Sequence, residues 1–140
     1  MNAFFDSSAL VKRYIEEDGR ERVINIFEEA SAIGVSVICF PEVISAFCRL
    51  QREGNLDKPQ YERIKGDMIA DFEDFFISAI TPQVRGCVTR LLETYSLRAM
   101  DALHLGSAIE WQTDTFVSGD KRQIIAAQNE GLDVLDVQSE

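Results

Sequence analysis

The chain has 140 residues, of which 46% are hydrophobic and 27% are charged, a balance typical of one globular domain with a single sizeable core. Acidic residues outnumber basic residues by 24 to 14, and the net charge of −10 argues against a protein that coats nucleic acid through a broad basic surface. The apolar runs are far shorter than the roughly 20 residues that cross a bilayer, and no basic segment opens the chain, so we expect a cytoplasmic, single-domain protein over residues 1–140 with no membrane part.

The first element is a short strand that ends at a carboxylate. Asn2 to Phe5 is apolar, Asp6 follows it, and residues 7–15 form an amphipathic run. This pattern predicts a strand, a turn and a helix. Asp6 is therefore expected at the carboxyl end of the first strand.

A second strand and helix repeat this arrangement. After a predicted helix over 20–30, the β-branched run 33–40 predicts a buried parallel strand. Pro41 suits the first position of a helix, which we expect to continue to Gly54. Glu42 then lies in the first turn after the second strand.

The middle of the chain predicts a long helix over 58–76, a short third strand over 77–80 and a helix over 84–95. The acids of the long helix are interpreted as its solvated face: Asp57, Asp67, Asp71, Glu73 and Asp74. The apolar positions on the helical hairpin 43–76 are generous for one edge of a small core, and we expect them to leave a groove for a partner segment: Phe47, Leu50, Tyr61, Ile64, Met68, Phe72, Phe75 and Phe76.

The stretch from Arg98 to Trp111 predicts a helix covered on most sides, with a carboxylate at the top of an apolar row. Asp101, Leu105 and Ala108 share one face at helical spacing. Burying a charge costs several kcal/mol without a partner. A structural role, in which Asp101 pairs with Arg98 one turn back, is one interpretation; a shared site with other carboxylates is the other.

The last elements complete an alternation of strands and helices. Residues 115–117 predict a fourth strand, Asp120 ends the turn after it, 121–129 predicts a helix, and 132–137 a last strand. Parallel neighbours require a crossover, so the alternation predicts an α/β fold, a three-layer α/β/α sandwich around a parallel sheet. In such sheets ligands bind at the carboxyl ends of the strands.

Four carboxylates are expected at that edge: Asp6, Glu42, Asp101 and Asp120. Crowded carboxylates repel one another unless cations or protons intervene. Mg²⁺ and Mn²⁺ prefer oxygen ligands, so an Asp and Glu set without His or Cys suits them and not zinc. Such a site can bind a phosphodiester and activate water for in-line attack. Taken singly, Asp6, Glu42 and Asp120 are better explained as helix caps or first-turn acids; their joint placement at one edge favours a shared site.

Four stretches resemble the acidic blocks of PIN domains, in particular VapC-type toxins: FDSSALVK at 5–12, PEV at 41–43, LRAMDALHL at 97–105 and FVSGDKR at 116–122. The resemblance implies a Mg²⁺-dependent endoribonuclease with Asp6, Glu42, Asp101 and Asp120 as metal-binding acids. It also implies a homodimer and inhibition by a cognate antitoxin, whose basic residue could reach the acids. The chain departs from the family pattern at Cys39 and Pro41, which bears on the positioning of Glu42.

Several interpretations stay open beside this resemblance. Ser7 and Ser118 are expected either to hydrogen-bond the acids or to cap turns. His104, one turn after Asp101, could pair with it, and we expect a packed or partly exposed histidine, with a catalytic base as the alternative. At the level of function, a catalytically silent PIN domain and an acidic phospho-receiver-like binding module are the alternatives, although Asp6 lacks the adjacent acid that a receiver requires.

Overall fold

The structure, a computed structural model, describes residues 1–138 and contains a parallel sheet covered by helices. The strands are β1 (Asn2–Phe5), β2 (Ala32–Ser36), β3 (Phe76–Ser78), β4 (Thr115–Ser118) and β5 (Asp133–Asp136). The helices are α1 (Ser7–Tyr14), α2 (Arg20–Glu29), α3 (Cys39–Arg52), α4 (Lys58–Phe72), α5 (Pro82–Thr94), α6 (Ala99–Glu110) and α7 (Lys121–Asn129). The predicted alternation is confirmed.

The strands lie in the order β3-β2-β1-β4-β5, and all neighbouring pairs are parallel. The central strand β1 places Phe4 and Phe5 on opposite faces, and both side chains are fully buried. Phe5 packs in a core with α1 to α4, whereas Phe4 packs in a second core with α5 to α7. Burying each ring contributes roughly 1.5–3 kcal/mol. The two cores confirm the three-layer α/β/α sandwich.

The predicted boundary between the second strand and its helix was wrong. Strand β2 ends at Ser36, whose hydroxyl accepts a hydrogen bond from the Ile38 N–H at 3.3 Å, and α3 already begins at Cys39. Pro41 is therefore the third residue of the helix and not the first. Its missing N–H costs nothing there, because the first amide groups of a helix have no intrahelical acceptor. Glu42 still lies in the first turn.

The long helix also ends earlier than predicted. α4 stops at Phe72, and Phe76 opens the edge strand β3. There the Phe76 ring stacks on Trp111 at the end of α6, with centroids 5.0 Å apart and ring planes at 3°. The stack joins the edge strand β3 to the helical layer that contains α6. Phe76, which the sequence pattern assigned to the end of the long helix, therefore belongs to the sheet.

One of the acids predicted to face solvent has a structural role. Asp71 on α4 accepts hydrogen bonds from Arg13 Nε at 2.8 Å and from the Tyr14 hydroxyl at 2.7 Å. Burial raises the pKa of Asp71, but these bonds and the Arg13 charge outweigh it and hold the pKa below its usual value. Asp71 thus links α4 to α1, and its assignment to a solvated face was wrong.

Close packing at Gly34 brings β2 against α6. A Cβ atom at this position would lie 2.5 Å from Cζ3 of Trp111 and 3.0 Å from Cδ2 of Phe4. The absence of a side chain lets the indole ring lie directly on the strand. No helix within residues 1–138 is both long enough and apolar enough to cross a membrane.

Candidate active site

The four acids singled out in the sequence all lie at the carboxyl edge of the sheet. Asp6 follows β1, Glu42 lies in the first turn of α3 after β2, and Asp120 stands between β4 and α7. Asp101 lies in the first turn of α6, the helix that precedes β4. Because β2, β1 and β4 are neighbours in the sheet, their ends bring three of these carboxylates to one side of the molecule.

Asp6 is the most buried of the four, with 1% of its surface exposed. Its carboxylate caps α1 by accepting from the Ala9 N–H at 2.9 Å, and it also accepts from the Ser8 hydroxyl at 2.8 Å and the Ser118 hydroxyl at 2.6 Å. Burial raises the pKa of Asp6, although His104 and these hydrogen bonds act in the opposite direction. Both interpretations of Ser118 apply, because its hydroxyl bonds an acid and also accepts from the Asp120 N–H at 3.0 Å in the turn.

Glu42 is held through a single carboxylate oxygen. Its Oε1 accepts from Ser7 Oγ at 2.6 Å and lies 2.6 Å from Nε2 of His104. The hydrogen bond with His104 is the main reason that the pKa of Glu42 lies below its ordinary value. Neither contact uses Oε2, so that oxygen remains available to the site. The interpretation that Ser7 bonds an acid is confirmed.

His104 pairs with Glu42 and not with Asp101, so the alternative of an Asp101 pair was wrong. It lies three residues after Asp101 on α6, but its side chain points into the protein and only 2% of its surface is exposed. Since Nε2 donates to a carboxylate, a neutral ring carries its lone pair on Nδ1, and that atom is buried without a partner. His104 is thereby placed as a donor that orients Glu42.

Asp101 and Asp120 are connected by a residue that the sequence patterns did not reveal. The Gln123 amide donates to Asp101 Oδ1 at 3.2 Å, while the Gln123 N–H donates to Asp120 Oδ1 at 3.2 Å. Burial, and then the charge of Asp120, raise the pKa of Asp101. The sequence offered one signal for this role, since Gln123 directly precedes the apolar run that begins at Ile124. The structure shows that the Gln123 side chain is buried, with 3% of its surface exposed.

The alternative structural role for Asp101 takes a different form from the one expected. Asp101 Oδ2 accepts from the backbone N–H of Arg98 at 3.4 Å, a contact at the beginning of α6. Within residues 1–138 the Arg98 guanidinium makes no ion pair with a carboxylate. Asp101 is thus a first-turn acid whose partners are an amide of the backbone and the amide of Gln123.

The expected crowding of all four carboxylates around one point was wrong. In the part of the chain described, no three His, Cys, Asp or Glu side chains are grouped in a way that could hold a metal ion. The physical reason is that each carboxylate turns to nearby donors: Asp6 and Asp120 to helix amides, Glu42 to Ser7 and His104. The donor chemistry nevertheless fits a hard divalent cation, because every one of the four side chains offers oxygen.

Comparison with known proteins agrees with this architecture. The sequence model of the PIN domain family matches residues 3–129. Ribonuclease VapC45 of Mycobacterium tuberculosis (strain CDC 1551 / Oshkosh) is 29% identical over 110 residues, which cover 76% of this chain and 74% of that protein.

Two solved structures show the same fold. A toxin-antitoxin complex from Klebsiella pneumoniae contains a chain with a TM-score of 0.69 at 15% identity, covering 96% of this chain and 97% of that one. VapC20 of Mycobacterium tuberculosis, described as a sarcin-ricin loop cleaving toxin, gives a TM-score of 0.64 at 12% identity, covering 89% and 94%. Because the family match spans residues 3–129 of the 140, the chain belongs to the PIN domain family.

Proposed function

We propose that this protein is a Mg²⁺- or Mn²⁺-dependent endoribonuclease and the toxin of a toxin-antitoxin pair. The observation that carries the proposal is the convergence of Asp6, Glu42 and Asp120 on one edge through neighbouring strands, with Asp101 beside Asp120. An edge that offers only carboxylate oxygens suits a hard cation and a phosphodiester substrate. The similarity to a ribonuclease of the VapC type supports the same chemistry.

The chain's own residues have distinct roles in this proposal. Asp6, Glu42, Asp101 and Asp120 would hold the cation, and Ser7 with His104 orient Glu42 through Oε1. Gln123 fixes the spacing of Asp101 and Asp120. When bound, the cation offsets phosphate charge and lowers the pKa of a coordinated water for in-line attack.

Cleavage of single-stranded or looped RNA by the purified protein tests the assignment. We expect cleavage in Mg²⁺ or Mn²⁺ and none in EDTA. Asp6→Asn and Asp101→Asn should each abolish it, because each removes a negative charge from the site while preserving side-chain shape. Asp133→Asn, at the exposed amino end of β5, is the matched control and should cleave like the wild type.

Wild-type cleavage by either site variant would show that these acids do not carry the reaction. Absence of cleavage on every RNA tried, with the wild-type protein folded and metal present, would instead favour a catalytically silent PIN domain.

The second part of the proposal is a cognate antitoxin that covers an apolar groove. The predicted hairpin groove was wrong in detail, because Phe47, Ile64 and Met68 are buried in the core. An open groove of about 620 Å³ lies beside them, between the beginning of α3, the end of α4 and β3. Its apolar lining consists of Val37, Phe40, Ile69, Phe72, Phe75 and Ile77.

The exposed part of this lining favours a protein partner. Val37, Ile69 and Ile77 each expose more than two fifths of their surface, which is costly in water when the side chains adjoin one another. The structural likeness to a toxin-antitoxin complex supports an antitoxin segment as the occupant. An amphipathic segment would place apolar side chains in the groove and reach the acids with a basic residue.

Hydrogen exchange of the protein with and without its cognate antitoxin checks this docking. We expect added protection over 68–78, whereas α7 should exchange at the same rate in both samples. Unchanged exchange over 68–78 in a complex that is demonstrably formed would place the antitoxin elsewhere. Dimerisation, implied by the family resemblance, stays a prediction that light scattering of the purified protein can check.

A further inference from the structure

A basic cleft adjoins the acidic edge on one side. It encloses about 370 Å³ between the beginnings of α6 and α7. Its lining combines two of the site acids with a glycine and three cationic side chains: Asp101, Asp120, Gly119, Arg98, Lys121 and Arg122. Three cations around one small cleft stand out in a chain that has only 14 basic residues against 24 acids.

The positions of these cations run against the preference of helices. Arg98 is the N-cap residue of α6, and Lys121 and Arg122 are the first two residues of α7. The beginning of a helix carries partial positive charge, so acids are favoured there and cations disfavoured. These cations therefore add positive potential at the beginnings of α6 and α7, although cations at these positions do not stabilise the helices.

Within residues 1–138 the three cations also lack carboxylate partners. All are exposed, and among residues 1–138 none of them lies within 4.0 Å of a carboxylate oxygen, whereas Lys12, Arg13 and Arg90 each have such a partner. Burial raises the pKa of Asp101 and the Arg98 charge opposes this rise, but the hydrogen bonds of Asp101 and Asp120 come from backbone amides and from Gln123 and not from the charged groups of these three side chains. The cations are thus available to an anion from solution.

We propose that Arg98, Lys121 and Arg122 bind a backbone phosphate of the RNA, adjacent to the phosphate that reacts at the acids. This inference rests on the proposed ribonuclease function and assigns it a substrate-positioning site. Arginine offers paired N–H donors that match phosphate oxygens. The cleft would thus attract the substrate locally while the remainder of the acidic surface repels it.

Equilibrium binding of a labelled single-stranded RNA of mixed sequence tests the proposal, measured by fluorescence anisotropy in Mg²⁺ at several NaCl concentrations. The parent protein is Asp6→Asn, so that binding is recorded without turnover. Adding Arg98→Ala or Arg122→Ala should raise Kd roughly three- to tenfold and lower the slope of log K against log salt by about 0.7 for each phosphate that the variant no longer binds. Arg122→Lys, which retains the charge, should retain the salt slope.

Arg52→Ala is the matched control, since Arg52 is exposed and lies about 15 Å along α3 from Glu42. It should leave Kd and salt slope unchanged. If Arg98→Ala and Arg122→Ala bind RNA with the control's Kd and slope, the phosphate site is refuted even if the wild type cleaves RNA. Failure of the wild type to cleave RNA would refute the proposed function separately, because binding and cleavage are recorded on different proteins.

Discussion

At the scale of single residues, Asp6 combines a structural role with an electrostatic strain. Its carboxylate caps α1, but burial raises its pKa. A carboxyl group with a higher pKa in the folded chain binds its proton more tightly there, so the free energy of unfolding falls as pH rises from the unfolded pKa through the folded one. The deficit disappears below about pH 3.9, where the unfolded group is also protonated, and grows as the pH rises above that value.

Asp6→Asn should therefore raise Tm at pH 7, and the gain should shrink as the pH is lowered. Asparagine caps helices as well as aspartate does, so the change removes the charge and keeps the cap. Thermal melts in EDTA across pH measure it. Asp57→Asn is the control, because Asp57 caps α4 in the same way at an exposed position. A Tm for Asp6→Asn at or below the wild-type value would mean that the bonds from Ser8, Ala9 and Ser118 outweigh burial.

The surroundings of the acids show the limit of prediction at this scale. The positions of Asp6, Glu42, Asp101 and Asp120 at strand ends and helix beginnings could be read from local patterns. Their partners could not, because the bond between His104 and Glu42 joins residues 62 apart and that between Ser118 and Asp6 joins residues 112 apart. Local spacing contains no information on which distant donor reaches which oxygen.

At the scale of elements, the contact of β2 with α6 depends on Gly34. Gly34→Ala would force a Cβ atom into the Trp111 ring, which is rigid and packed against Phe4, and overpacking of this kind costs about 1–3 kcal/mol. Gly66→Ala is the contrasting variant, since the new Cβ atom on α4 meets no atom within 4 Å and should stabilise the helix by up to about 1 kcal/mol.

Urea denaturation of both variants measures their free energies of unfolding, which should fall for Gly34→Ala and rise for Gly66→Ala. In a Trp111→Leu background, Gly34→Ala should cost much less, because the ring that it strikes is gone. Equal costs in the two backgrounds would show that the glycine is required for a reason other than the indole ring.

Element types were predictable from the sequence, whereas some boundaries were not. Hydrophobic periodicity predicted each strand of the sheet and each helix that covers it. The boundary errors at Ser36 and at Phe72 arose where side-chain contacts set the end of an element. At Ser36 the hydroxyl bonds the backbone after the strand, and beyond Phe72 the Phe76 ring stacks on Trp111 as part of the sheet. In both runs apolar residues continue beyond the observed end of the element, so periodicity alone cannot place their ends.

At the scale of the whole molecule, binding of the proposed cation to the acids should raise the free energy of unfolding of the whole domain. A ligand that binds only the folded state stabilises it by RT ln(1 + [L]/Kd), which is about 1.4 kcal/mol for ~10 mM Mg²⁺ and an assumed Kd of ~1 mM. That corresponds to a rise in Tm of roughly 3–6 °C for a domain of this size. NaCl at matched ionic strength separates this rise from general screening of the acidic chain.

Asp101→Asn should change Tm in two ways, one in EDTA and one in Mg²⁺. It should melt above the wild type in EDTA, because burial and the neighbouring Asp120 raise the pKa of Asp101, and it should gain little from Mg²⁺. Asp133→Asn should keep the full response to Mg²⁺. An Asp101→Asn protein that melts lower in EDTA and responds normally to Mg²⁺ would identify Asp101 as a purely structural acid.

The hydroxyl of Ser118 donates to Asp6 and accepts from the Asp120 N–H, so one side chain joins the first of the four site acids to the last of them. During synthesis, β1 and β2 leave the ribosome early, but β4 follows only after the intervening helices. A nascent chain therefore has Asp6 without the strand that completes its surroundings. The acidic edge is thus completed only late in synthesis, after β4 and Asp120 have been made.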